Sequence, residues 1–112
     1  MRVEDRTEGA DIVIFAYGSI HRVALEAAEK ARSEGLNVGT FRPVTVWPFP
    51  DREIAEFSQR VKAILVLENN LGQLLPYVQA AASCPVHFLE PEILGTLHDV
   101  DRVTNKLKEA AK

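Results

Sequence analysis

Short apolar runs alternate along the chain with stretches in which apolar residues recur every three or four positions. Apolar runs of four to six residues next to turn-forming residues are typical of strands, whereas the longer periodic stretches are typical of amphipathic helices. The pattern therefore predicts strands at residues 11–16, 38–41, 63–67 and 86–89.

Four helices are predicted between and after these strands. Ser19 is suited to cap the start of the first helix, and Gly35 is placed to end it in a left-handed conformation. Pro50 suits the first turn of the second helix. The third helix is expected to begin near Gln73, and the last has Asp99 as its N-cap.

Repeated strand–helix units predict an α/β fold, namely a three-layer α/β/α sandwich around a mostly parallel sheet. The run AILVL at residues 63–67 has no polar alternation, which is expected for a strand that helices cover on both faces. With 112 residues, the chain is predicted to be a single domain over residues 1–112. The polar residues 1–9 are expected to be a linker or a partly ordered N-terminal segment.

Composition and charge narrow the classes of function. Hydrophobic residues make up 46% of the chain and charged residues 26%, as in a globular protein. The net charge of -3 is spread without a basic cluster, so we expect no nucleic-acid partner. No apolar run approaches the ~20 residues of a membrane span, and the polar start does not resemble a secretory signal. We therefore expect a cytoplasmic protein without a membrane partner.

Three segments follow predicted strands at the edge where parallel sheets usually bind ligands and partners. They cover residues 17–19, 42–50 and 68–73. The candidate interface or ligand-binding residues in them are Tyr17, Gly18, Ser19, Arg42, Pro43, Thr45, Trp47, Glu68, Asn69, Asn70, Gly72 and Gln73.

The same segments carry a resemblance to a known family. The order AYGS (16–19), EGLNVGTFRPVTVWPFP (34–50) and LENNLGQ (67–73) resembles the alpha subunits of 2-oxoacid:ferredoxin oxidoreductases, from about Ala10 to Ala82. More distantly, the chain resembles the C-terminal domains of transketolases and of the beta chains of 2-oxoacid dehydrogenases. WPFP (47–50) and ENNLGQ (68–73) favour the ferredoxin-linked branch.

The resemblance implies a transketolase C-terminal-like domain in an assembly with several cofactors. Such assemblies decarboxylate a 2-oxoacid on thiamine diphosphate with Mg, pass electrons through iron–sulfur clusters to ferredoxin, and form an acyl-coenzyme A. The implied partners are a pyrimidine-binding domain of the same subunit family, a thiamine-diphosphate-binding beta subunit and, through the assembly, ferredoxin.

In that family this domain is not the cofactor site. The family's diphosphate-binding motif joins GDG to a later NN, but this chain has Asn69 and Asn70 without any GDG. The single Cys84 falls short of the roughly four Cys ligands that a cluster needs. We therefore assign no catalytic residue, no metal ligand and no cofactor to this chain alone.

Each candidate has a structural alternative. Gly18 and Ser19 could offer helix N–H groups to an anion, although a plain N-cap is favoured. Arg42 could hold a coenzyme A phosphate, although an ion pair with Glu68 at a neighbouring strand end is favoured. Glu68 could transfer protons, although hydrogen bonding within its loop is favoured over that role.

Trp47 is compatible with a core position or with an interface position. Three prolines, Pro43, Pro48 and Pro50, restrict the loop around it. We therefore predict that residues 42–50 form a preformed loop that presents Trp47 to a neighbouring domain or subunit.

Two other functions stay open at this point. One is the C-terminal domain of a transketolase or of a 2-oxoacid dehydrogenase beta chain. The other is an independent small-ligand-binding α/β module, which the lack of a glycine-rich dinucleotide motif disfavours. The three histidines, His21, His87 and His98, match no compact metal or catalytic spacing.

Overall fold

A computed structural model describes residues 3–17, 20–43, 49–67, 74–89 and 100–110. The strands are β1 (Val3–Arg6), β2 (Ile12–Ala16), β3 (Val38–Pro43), β4 (Ala63–Leu67) and β5 (Val86–Leu89). The helices are α1 (His21–Ser33), α2 (Asp51–Ser58), α3 (Leu75–Ala81) and α4 (Val100–Ala110).

The five strands form one sheet in the order β1-β3-β2-β4-β5. Strand β2 lies at the centre, and Ile12 is the register partner of both Val38 in β3 and Ala63 in β4. All pairs are parallel except β1 with β3. The prediction that the first three apolar runs are parallel neighbours is confirmed.

Alternating side chains of the central strands divide the core into two halves. Ile14 and Leu65 point to the layer formed by α1 and α4, where Ala24 and Leu107 are fully buried. The small side chains of α1 allow close packing, and each large aliphatic residue buried here contributes about 1.5–3 kcal/mol. Two ion pairs on the outer surface, Lys30 with Asp101 and Lys108 with Glu34, also join the two helices.

The opposite face of the sheet is covered by α2 and α3. Phe15 and Val66 point to this side, where they meet Ile54 and Val78 in a second buried cluster. Helices therefore lie on both faces, and the predicted three-layer α/β/α sandwich with a mostly parallel sheet is confirmed.

Strand β1 lies within residues 1–9, the segment expected to be a linker or a partly ordered N-terminal segment. Val3–Arg6 pair antiparallel with β3, although their side chains are mostly exposed. The sequence VEDR contains no apolar run, so hydrophobic patterning could not indicate this edge strand. Gly39 permits its close approach, because a Cβ there would lie 2.5 Å from the Arg6 carbonyl oxygen.

Helix ends follow the predicted turn chemistry with small shifts. Gly35 has a φ of 94°, which confirms a left-handed residue after α1. Ile20 occupies the N-cap position of α1, so this helix begins later than a cap at Ser19 would place it. Pro50 precedes α2 as its N-cap residue and is not in its first turn. The predicted Asp99 cap lies outside the described residues.

Candidate functional site

The carboxyl edge of the parallel strands is the candidate site. Tyr17 follows β2 and is 40% exposed, while Arg42 and Pro43 are the last residues of β3. Helix α1 begins with His21 at this edge and covers one face of the sheet.

Glu4 of β1 joins two basic side chains at this edge. Arg42 Nη1 donates a hydrogen bond to Glu4 Oε1 at 3.2 Å. His21 Nε2 lies 3.7 Å from Glu4 Oε2. We call these three residues the Glu4–His21–Arg42 cluster. One carboxylate of the edge strand thereby pairs with an arginine of the neighbouring strand β3 and lies close to the start of a helix.

The electrostatics of this cluster favour a neutral His21. Burial lowers the pKa of His21 below its ordinary value of 6.5, and the nearby Arg42 and Arg6 lower it further, whereas Glu4 opposes them. Its Nδ1 atom is buried and has no hydrogen-bond partner among the described residues. His21 is therefore suited to packing and to pH sensitivity.

An aromatic series runs from the core to the surface on the other side of the sheet. The Phe49 ring lies 6.2 Å from Phe15 and 5.5 Å from Tyr77, which is 45% exposed. Beside it lies an open groove of about 830 Å³ between α2 and α3, here called the α2–α3 groove. Its lining residues are Phe49, Asp51, Arg52, Glu53, Ala55, Ala80 and Ala81.

The described residues test only part of the predicted site. Tyr17, Arg42 and Pro43 lie at the carboxyl edge as expected, but Arg42 and Pro43 belong to β3, which is two residues longer than predicted, and not to the loop predicted over residues 42–50. The other candidates lie outside the described residues: Gly18, Ser19, Thr45, Trp47, Glu68, Asn69, Asn70, Gly72 and Gln73. The binding or interface roles of all the candidates, including Tyr17, Arg42 and Pro43, stay predictions.

Arg42 does not lie beside the strand that precedes Glu68, contrary to the expectation. Arg42 is near the end of β3, Glu68 follows β4 in the sequence, and β2 separates these two strands. The described carboxylate partner of Arg42 is Glu4. Sequence reasoning missed Glu4 because it lies in the segment expected to be a linker, where no local pattern indicates pairing with β3.

Within the described residues, no three His, Cys, Asp or Glu side chains are grouped to hold a metal ion, and the Glu4 carboxylate is paired with Arg42. Burial raises the pKa of the Cys84 thiol, which favours its protonated form. Among the described helices, none is long and apolar enough to cross a membrane.

Solved structures define the class of fold. The chain superposes on 2-oxoglutarate:ferredoxin oxidoreductase from Magnetococcus marinus, solved with 2-oxoglutarate, coenzyme A and succinyl-CoA bound, with a TM-score of 0.85 and 28% identity. That match covers 100% of this chain and 20% of the other. A split-gene transketolase matches with a TM-score of 0.79 at 20% identity, which shows a shared fold. This second match covers 98% of this chain and 41% of the transketolase chain. The chain thus has a fold that 2-oxoglutarate:ferredoxin oxidoreductase and transketolase share.

Sequence comparisons identify the family. The family described as pyruvate:ferredoxin oxidoreductase core domain II matches residues 10–108, and this chain belongs to it. 2-Oxoglutarate synthase subunit KorA of Methanothermobacter marburgensis is 40% identical over 90% of the chain. Ketoisovalerate oxidoreductase subunit VorB of Methanothermobacter thermautotrophicus is 36% identical over 93%. The chain spans 27% and 30% of these relatives.

Proposed function

We propose that this chain is a non-catalytic structural and interface domain of a 2-oxoacid:ferredoxin oxidoreductase alpha subunit. The observation that carries the proposal is the family match over residues 10–108. The 28% identity to an enzyme of this type across the whole fold supports it. In this role the domain packs against the thiamine domains and shapes access to them.

The reaction chemistry is assigned to other parts of the assembly. The chain has a single Cys and no GDG, so neighbouring chains or domains would hold the iron–sulfur clusters and thiamine diphosphate with Mg. When bound there, thiamine diphosphate supplies the decarboxylation of the 2-oxoacid. The proposed partners are a pyrimidine-binding domain, a thiamine-diphosphate-binding beta subunit and ferredoxin, in the cytoplasm.

The proposed substrate class is a 2-oxoacid that yields an acyl-coenzyme A. Relatives are named for 2-oxoglutarate, ketoisovalerate and pyruvate, and all three are 2-oxoacids. The substrates for which these relatives are named share the 2-oxoacid group and differ in the rest of the molecule. We therefore propose a class of substrate and not one particular acid.

The test is purification of the tagged chain from its native source, followed by analysis of what co-purifies. We expect a thiamine-diphosphate-binding chain and cluster-binding chains, and the complex should reduce ferredoxin when supplied with a 2-oxoacid and coenzyme A. The separated chain should neither oxidise 2-oxoacids nor bind thiamine diphosphate with magnesium in calorimetry.

Two results would contradict the proposal. Micromolar binding of thiamine diphosphate by the separated chain would place the cofactor site here. A co-purifying partner that binds thiamine diphosphate but lacks cluster-binding cysteines would indicate a transketolase-like or dehydrogenase enzyme.

A further inference from the structure

The segment around α3 is unusual in charge. Charged residues make up 26% of the chain, yet none of the 21 residues from Asn69 to Leu89 is Asp, Glu, Lys or Arg. The uncharged run includes all of α3 and β5. A solvated helix normally has charged or polar residues on its outer face. On α3 only the uncharged side chains of Tyr77 and Gln79 supply polar groups, so the lack of charge requires another explanation.

Helix α3 lies at the surface despite this composition. Val78 is its buried residue, whereas Pro76, Tyr77, Gln79 and Ala80 are exposed. Depletion of charge together with an exposed tyrosine is typical of the centre of a protein–protein interface. The exposed face of α3 therefore shares two features with interface centres, its lack of charge and its exposed tyrosine.

Helix α2 gives this face an acidic margin. Over Asp51–Ser58 it has three acidic residues against one basic residue, Arg52. Asp51, Arg52 and Glu53 line the α2–α3 groove, together with Phe49 and alanines from both helices. The groove therefore combines apolar and small side chains with a side on which two acidic groups outnumber one basic group, an arrangement suited to an apolar segment flanked by Lys or Arg.

We propose that α3 and the α2–α3 groove bind another part of the same oxidoreductase assembly, one with an apolar centre and a basic margin. The inference rests on the proposed function. This domain spans 27% of KorA and 30% of VorB, so most of the length of these relatives lies outside it. That remaining polypeptide can supply the segment that occupies the groove. A second copy of this chain fits less well, because its own α2 would bring acidic residues against an acidic margin.

Helix α1 on the opposite layer provides a matched comparison. Leu25 is 39% exposed, close to the exposed fraction of Tyr77. Its neighbours on the helix include exposed Arg22, Glu26 and Glu29, as on an ordinary solvated face. Leu25 is therefore a control for Tyr77, because it exposes a similar fraction of an apolar side chain on a helix face that does carry charged residues.

The first experiment places the photocrosslinker p-benzoylphenylalanine at position 77 or position 25 in the assembled enzyme. We expect position 77 to crosslink to a peptide outside these 112 residues that contains apolar and basic side chains. Position 25 should give little product. Crosslinking of position 77 to a second copy of this chain would overturn the inference, and so would failure to crosslink in an intact assembly.

The second experiment compares Ala80→Arg with Leu25→Arg in the same preparation. Ala80 is exposed and lines the groove, so the arginine should leave the helical content and melting temperature nearly unchanged. It should weaken recovery of the partner chains by about tenfold or more, as loss of an interface centre does, whereas Leu25→Arg should not. Equal recovery with both variants would overturn the inference.

The two proposals fail in different ways. In one outcome, the unmodified chain co-purifies with thiamine-dependent partners while position 77 forms no crosslink to them and Ala80→Arg does not weaken their recovery. In that case the proposed function survives, and the inference that α3 binds a partner is wrong. If the unmodified chain recovers no such partner, the proposed function fails, and the assignment of an occupant to α3 fails with it.

Discussion

Glu4 and Arg42 face each other across β1 and β3. They are register partners in the antiparallel pair, and their side chains form an ion pair with 3.2 Å between Oε1 and Nη1. The same carboxylate lies 3.7 Å from His21, the first residue of α1. One side chain of a short and mostly exposed edge strand therefore pairs with β3 and lies near the start of α1.

Removing the charge of Glu4 should have a small effect on stability. The Glu4 and Arg42 side chains are 44% and 35% exposed, and pairs of this kind contribute ~0–1 kcal/mol. We expect Glu4→Gln to lower the free energy of unfolding in urea by about 1 kcal/mol or less, with a smaller difference at high salt. Glu29→Gln, at an exposed position of α1, is the control, and a loss of several kcal/mol for Glu4→Gln would contradict this reading.

His21 should make the fold less stable as pH falls. Because burial holds the pKa of His21 below 6.5 in the folded state, the unfolded state binds the proton first on acidification. Stability should therefore be retained above pH 6.5 and should decline as the pH falls below it. Denaturant titrations from pH 7.5 to about 5.5 should show a weaker decline for His21→Gln than for the unmodified chain. His87→Gln is the control, and an unchanged slope for His21→Gln would show that another group controls this range.

Gly39 should be intolerant of a side chain. A Cβ at this position would lie 2.5 Å from the Arg6 carbonyl oxygen and 3.1 Å from Thr7 Cα, both of which are backbone atoms. We expect Gly39→Ala to destabilise the chain by about 1–3 kcal/mol and to speed tryptic cleavage after Arg6, since β1 must move away. Gly9→Ala is the control, because Gly9 has a positive φ of 75° but open space around its Cβ position. It therefore shows the effect of an added methyl group without a clash against β1. Slow cleavage at Arg6 in Gly39→Ala would contradict the steric explanation.

The central fold could be predicted from sequence because its strands are buried on both faces. The run at residues 63–67 needed no tertiary information, and the structure gives it the same bounds, Ala63–Leu67. Strand β1 could not be predicted in this way, since its pairing depends on the backbone of β3 and on the missing side chain of Gly39. Hydrophobic periodicity indicates which residues are buried but does not indicate which exposed backbone groups pair.

The site was less predictable than the fold. Strand ends could be located from the apolar runs, which correctly placed Tyr17 and Arg42 at the carboxyl edge. The spatial order of the strands could not be read from their order in the chain, so Arg42 was assigned a partner after β4 although β2 lies between. Charged residues that meet across an antiparallel pair, as Glu4 and Arg42 do, leave no local sequence pattern.

The loop prediction concerns Trp47, which lies outside the described residues. Pro43, Pro48 and Pro50 restrict the unfolded chain around it and reduce the entropy lost when the loop docks. Trp is also enriched among the residues that dominate interface energies. We therefore expect Trp47 to act in assembly more than in folding of this domain.

Phe49, two residues further on, provides the matched control for Trp47. It is 8% exposed and its ring lies beside Phe15 and Tyr77, so Phe49→Ala should cost ~3–5 kcal/mol and lower the melting temperature by many degrees. Trp47→Ala should leave the melting temperature of the chain nearly unchanged but weaken recovery of its partner chains by about tenfold or more, because an interface anchor costs ~2 kcal/mol or more. Thermal melts and quantitative co-purification on both variants measure these two effects separately. A large loss of stability with normal assembly for Trp47→Ala would show that Trp47 is a core residue.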